Sequence, residues 1–195
     1  MRTSVKVKIC GLTRRCDVEC AVAAGADYVG FVLVPSSKRF VPPERRRELI
    51  ADLPASVRSV AVVADPTEQE VSEIRKLFDI IQFHGHEPPS VADGAHSWKA
   101  LPASTAPERF FEYRVEHFVV DSDCGGSGRC CDWHRAALAA ERYEILLAGG
   151  LSPENVADAI RQVKPWGVDV SGGVELSPGI KSREKIQHFI EEAKS

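Results

Sequence analysis

The chain has 195 residues, 44% of them apolar, enough for one sizeable core over 1–195 and little for a second domain. Its formal net charge is −3, which gives no reason to expect nucleic acid or an anionic membrane as a partner. Met1-Arg2-Thr3-Ser4 runs into an alternating segment rather than an apolar signal region, and no apolar run approaches the ~20 residues of a membrane helix; a cytoplasmic protein is expected.

Period-2 alternation over 5–10 predicts a strand, and the pattern then shifts to a helical period over 16–24. Gly25, in Ala24-Gly25-Ala26-Asp27, suits the left-handed position that closes a helix. A strand over 28–32 leads into the turn Pro35-Ser36-Ser37-Lys38-Arg39-Phe40 and a helix over 43–53. Pro42-Pro43-Glu44 starts that helix, so Arg45-Arg46-Arg47 reads as a solvated helix face. A strand over 59–63, a helix over 68–77 and a strand over 80–83 follow. His86-Glu87-Pro88-Pro89 then leaves little helical sequence, so the fourth helix is expected to be weak or missing. Strands over 97–100, 118–121, 145–148 and 167–170 alternate with helices over 106–113, 133–140, 153–163 and 183–193. Ser152-Pro153-Glu154 reads as a capping serine with proline in the first turn, and Ser182 as the cap of the last helix.

Eight β/α repeats predict an α/β fold, a compact (β/α)8 TIM barrel with short loops. A doubly wound open sheet would want GxGxxG after the first strand, where Cys10-Gly11-Leu12-Thr13 stands instead. In a barrel the chemistry gathers where strands finish. Those ends carry Cys10, Arg39, Asp65, His84-Gly85, Asp121, Gly149-Gly150, Asp169 and Ser171-Gly172-Gly173. One glycine pair serves any tight turn. Two pairs, after strands seven and eight, suggest a backbone cradle for phosphate, with a short helix start after Gly173 adding its dipole. Arg39 offers a planar fork suited to a carboxylate.

Six cysteines fall in two groups, Cys10, Cys16, Cys20 and Cys124, Cys130, Cys131. Neither group contains CxxC, so no metal site is expected and most of these thiols read as small hydrophobes.

The strand ends sit within longer motifs: Lys8-Ile9-Cys10-Gly11-Leu12-Thr13, Gly25-Ala26-Asp27-Tyr28-Val29-Gly30-Phe31, Ser37-Lys38-Arg39-Phe40-Val41 and Ile81-Gln82-Phe83-His84-Gly85-His86-Glu87. Val120-Asp121, Gly125-Gly126-Ser127-Gly128-Arg129 and Asp132-Trp133 follow. Ala148-Gly149-Gly150-Leu151-Ser152-Pro153-Glu154-Asn155-Val156, Val168-Asp169-Val170-Ser171, Gly173-Val174-Glu175 and Pro178-Gly179-Ile180-Lys181 complete the set. Taken in order, these motifs resemble the phosphoribosylanthranilate isomerase family.

The resemblance implies a cofactor-free Amadori rearrangement of phosphoribosylanthranilate in tryptophan biosynthesis. It implies Cys10 as general base and Asp121 as general acid, Arg39 on the anthranilate carboxylate, and Gly149, Gly150, Ser171 and Gly172 around the phosphate. Asp169 would bond a sugar hydroxyl or the bridging amine, while His84 would either shape the pocket or be structural. The base role needs some thiolate near neutral pH, helped by nearby positive charge, and the acid role a raised carboxyl. A monomer is expected.

The chain departs from the family pattern at four places. Arg129 stands where lysine is usual, Cys130-Cys131 where Thr-Phe is usual, and Gly172 where serine is common. Ala64-Asp65-Pro66 replaces a Val-Asn type segment. Two readings compete with this one. A related phosphate-binding barrel, an indoleglycerol-phosphate synthase or a sugar-phosphate epimerase, would want a lysine acid or metal-binding strand ends. A cysteine-based metal-binding protein would use Cys124, Cys130 and Cys131.

Overall fold

The computed structural model describes residues 5–121 and 132–195. Eight parallel strands close on one another in chain order. They are β1 (Lys6–Ile9), β2 (Tyr28–Val32), β3 (Arg58–Val63), β4 (Ile80–Phe83), β5 (Ser97–Pro102), β6 (His117–Asp121), β7 (Ile145–Leu147) and β8 (Gly167–Val170). Closure is made by β1 against β8, in register from Lys6↔Gly167 to Ile9↔Val170. Most of these strands are short runs rich in Val, Ile and Leu, because a strand covered by helices outside and side chains inside must be apolar on both faces.

The outer layer consists of α1 (Arg15–Ala24), α2 (Pro43–Ile50), α3 (Glu68–Arg75), α4 (Pro89–Ala92), α5 (Pro107–Phe110), α6 (Trp133–Ala140), α7 (Val156–Val163) and α8 (Arg183–Lys194). The expected weakness after β4 is real: α4 is one turn of four residues begun by a proline. Helix α3 has a capping box, Thr67 Oγ1 accepting from Glu70 N at 3.2 Å and Glu70 Oε2 accepting from Thr67 N at 2.8 Å.

Several expected boundaries move. Helix α2 stops at Ile50 because Leu53 precedes Pro54 and Asp52 takes a left-handed φ of 62°. Helix α5 shrinks to four residues. Helix α7 begins at Val156, so Ser152 is not its cap; residues 152–155 form a turn in which Asn155 Oδ1 accepts from Ser152 N at 2.8 Å. Ser182 does cap α8, accepting from Lys185 N at 3.3 Å. After β8 comes a single 3-10 turn, Gly172–Val174, and then an unanticipated antiparallel hairpin, β9 (Glu175–Ser177) with β10 (Ile180–Lys181). That turn is too short to supply the helix dipole expected there.

Alternation along the strands sorts side chains into two cores. Val7, Ile9, Val29, Phe31 and Val168 point outward into the larger cluster, which also takes in Ile186, Phe189 and Ile190 of α8. Tyr28, Val60, Ile80, Trp98, Val119 and Leu146 point inward and form their own cluster. Trp98, fully buried, meets Tyr28 edge to face at 4.9 Å between ring centres. Aromatic bulk therefore plugs the amino-terminal end of the barrel and leaves the carboxy-terminal end to hold a ligand.

Candidate active site

Above the aromatic plug, the inward positions of the strands and the turns that follow them line a cavity of about 540 Å³. Its wall includes Cys10, Arg39, Gln82, His84, Asp121, Asp169, both glycines of the turn after β7, and Ser171 with Gly172 and Gly173. Every residue expected from the sequence to act on the substrate therefore borders one space. Cys10 lies one residue past the end of β1, not within it, and Asp121 is the last residue of β6.

Cys10 is 7% exposed, and Lys8 beneath it is wholly buried. The Lys8 Nζ donates to Asp169 Oδ2 at 3.0 Å, across the register pair that joins β1 to β8. Burial pushes the Cys10 thiol above its ordinary 9.0, against the opposing pull of the Lys8 and Lys181 charges. The positive charge expected beside this thiol is thus present, and burial outweighs it. Lys8 itself is held above 10.5: burial lowers it, but the charges of Asp169 and Cys10 and its hydrogen bonds to them prevail. Gly30 of β2 makes the arrangement possible. A β-carbon there would sit 2.9 Å from Cys10 Sγ and 3.1 Å from Lys8 Cε, so any side chain would displace the thiol.

Arg39 borders the cavity with its fork already engaged. Its Nε and one terminal nitrogen donate to the two oxygens of Glu175, at 2.8 and 2.7 Å. Three of its five N–H donors lie outside this pair. Glu175 also accepts from Lys181 Nζ at 2.9 Å and from Gly179 N at 3.1 Å. Burial acts to raise the Glu175 carboxyl, but the hydrogen bonds from Arg39 and Lys181 win and hold it below its ordinary 4.5. Lys181 donates as well to the backbone oxygen of Ser171 at 3.1 Å, tying the hairpin to the turn after β8.

Gly149 and Gly150 take φ of 81° and 68°, conformations that side-chain-bearing residues rarely adopt. Asn155 clasps this turn, its Nδ2 donating to Gly150 O at 2.9 Å. His84 is exposed at the rim. Arg129, Cys124, Cys130 and Cys131 lie outside the described residues. Of the other cysteines, Cys20 is buried and Cys16 exposed, both as free thiols. No group of metal-binding side chains occurs among the described residues.

Lys8, Gly30, Gln82, Glu175 and Lys181 were given no role by sequence reasoning, although all stand in the matched motifs. A signal existed for the first three. Lys8 precedes Cys10 by two residues and Gln82 precedes His84 by two, so each shares the inward face of its strand. A glycine inside a strand marks a close approach. Glu175 and Lys181 pair through a hairpin whose one local mark is the turn dipeptide Pro178-Gly179.

A closed eight-stranded parallel barrel with ionisable side chains and glycine turns around one cavity at its carboxy-terminal rim belongs to the class of TIM-barrel enzymes. Residues 7–192 match the model of the N-(5′-phosphoribosyl)anthranilate (PRA) isomerase family. The N-(5′-phosphoribosyl)anthranilate isomerase of Geobacter sp. (strain M21) is 39% identical over 208 residues, covering 97% of this chain and 98% of the relative. The phosphoribosyl anthranilate isomerase structure from Thermus thermophilus is similar with a TM-score of 0.88 and 33% identity, over 96% of this chain and 98% of that one. A further isomerase structure, in complex with reduced 1-(o-carboxyphenylamino)-1-deoxyribulose 5-phosphate, is similar with a TM-score of 0.83 and 33% identity, over 97% and 98% of the two chains. The chain belongs to the N-(5′-phosphoribosyl)anthranilate isomerase family and is an isomerase.

Proposed function

We propose that this chain converts N-(5′-phosphoribosyl)anthranilate to 1-(2-carboxyphenylamino)-1-deoxyribulose 5-phosphate, a step of tryptophan biosynthesis, with Cys10 as base and Asp121 as acid. What supports the roles is one observation: Cys10, just past β1, and Asp121, the last residue of β6, border the same cavity as the glycine turns after β7 and β8. Asp121 gives a proton to the furanose ring oxygen, and the ring opens to a Schiff base. The Cys10 thiolate then takes the C2′ proton, and the resulting enolamine tautomerises to the ketone. Protons move and no atom is lost. The turns with Gly149, Gly150, Ser171 and Gly172 hold the phosphate. The three remaining Arg39 donors face the anthranilate carboxylate, Asp169 takes a hydroxyl or the bridging amine, and His84 shapes the rim.

The same reading takes residues 1–195 as one domain, acting as a monomer in the cytoplasm. Among the described residues no helix is long and apolar enough to cross a membrane.

The test of the activity is loss of anthranilate-adduct fluorescence when purified protein meets phosphoribosylanthranilate. Turnover in a metal-chelating buffer is expected, with light scattering giving a monomer mass. Absence of turnover by folded protein would refute the assigned reaction.

A further inference from the structure

Two buried charges take no part in the chemistry proposed above. Glu87 and Lys99 form an ion pair at 2.7 Å, with each side chain 1% exposed. Lys99 follows the inward-pointing Trp98, so it leaves the outer face of β5. Helices α4 and α5, which flank that face, are only four residues each. Tyr113 covers the pair, its hydroxyl donating to Glu87 O at 3.1 Å and its ring centre 5.5 Å from Lys99 Nζ. Apolar side chains of similar volume would fill this space without the desolvation cost of two charges. What the pair holds accounts for its presence.

It holds the backbone that follows β4. Glu87 Oε1 accepts from Asp65 N at 2.8 Å and from Gly85 N at 3.0 Å. Lys99 Nζ donates to Gly85 O at 2.7 Å, gripping the other side of the same residue. Two further bonds close the clamp: His84 N donates to Val63 O at 2.8 Å, and His86 N to Asp65 Oδ1 at 2.7 Å. A β-carbon on Gly85 would come 2.7 Å from Asp65 N and Cγ, so the segments after β3 and β4 touch with no room for a side chain. Loops are ordinarily the more mobile parts of a fold. Here the exposed His84 rides on a backbone bonded at every N–H from residue 84 to 86.

Ala64 and His84 each precede a clamped residue, and both border the cavity. Because the eight strands close in chain order, β3 and β4 stand across the barrel from β7 and β8, so this wall faces the glycine turns. Resting on the reaction proposed above, we infer that Glu87 and Lys99 are positioning residues, which set from behind the wall where Ala64 and His84 meet the end of the substrate remote from its phosphate. They act through that wall and touch no ligand.

Two variants test this. Glu87→Asp keeps a counter-charge for Lys99 but is one methylene short of the two backbone N–H groups. Glu87→Gln/Lys99→Met removes both charges together, which avoids a lone buried charge, and releases Gly85 O. In each, KM for phosphoribosylanthranilate is expected to rise by about fivefold or more while kcat stays within about twofold of the parent. Inhibition by inorganic phosphate, bound across the barrel, should be unchanged, whereas a general loosening of the barrel would weaken it too. In a His84→Ala background most of the rise in KM should vanish, because the residue being positioned has gone. A parental KM in both variants, a matching loss of phosphate affinity, or an undiminished rise on top of His84→Ala would overturn the inference. So would failure of both variants to fold, which would make the pair a support of the whole barrel. Absence of turnover by the parent protein would refute the proposed reaction itself, a failure distinct from all of these.

Discussion

At Cys10 two physical effects oppose each other, and their balance sets how readily the thiol ionises. Burial favours the neutral thiol, while the ammonium groups of Lys8 and Lys181 favour the thiolate. Burial wins, so the thiol titrates above 9.0 in the free protein and only a minority is ionised at neutral pH. If this thiolate is the base, the residual kcat/KM of Asp121→Asn, in which no acid carboxyl titrates against it, should climb steadily between pH 7 and 9. A pH–rate profile that is flat across that range would contradict the base assignment. That Cys10 and Asp121 would border one cavity was legible in the sequence because both stand at strand ends. The state of the thiol was not, because it depends on how much water Lys8, Gly30 and the barrel wall exclude, which no local pattern encodes.

The hairpin β9–β10 shows how far an element can escape sequence reasoning and still shape the site. Its strands are three and two residues long, too brief for a periodic signal. Yet it carries Glu175, which fixes Arg39, and Lys181, which fixes both Glu175 and the turn at Ser171. Glu175 is nine-tenths buried and Lys181 almost wholly so. Glu175→Gln leaves two cations short of their counter-charge, and a loss of about 3 kcal/mol or more is expected at pH 7. The pH dependence follows from the direction of the shift. The folded carboxyl lies below 4.5, so its contribution is complete above that value and disappears as pH falls through the folded pKa. The melting temperatures of parent and variant should therefore converge below pH 4.5, as followed by circular dichroism. A constant gap from pH 7 to 3 would exclude this role. The helices were more legible where chemistry punctuates them, as at Gly25 and Ser182. At Ser152 the same residue type serves a turn instead, because Asn155 takes its N–H.

For the molecule as a whole, the alternation of strand and helix was enough to imply a closed barrel, because eight β/α units of this length have few other ways to bury both faces of every strand. Closure brings together residues far apart in the chain: Lys8 meets Asp169, and Arg39 meets Glu175. The floor of the cavity was not legible, since Gln82 and Lys8 become conspicuous only once the barrel interior defines what surrounds them. The central claim, that Cys10 and Asp121 act on one ligand in a shared cavity, is tested most directly by single-turnover rates of Cys10→Ala and Asp121→Asn with phosphoribosylanthranilate. Each variant should keep the parent's fold and substrate affinity while its chemical step slows by about a hundredfold or more. A near-parental rate in either one would remove that residue from the mechanism.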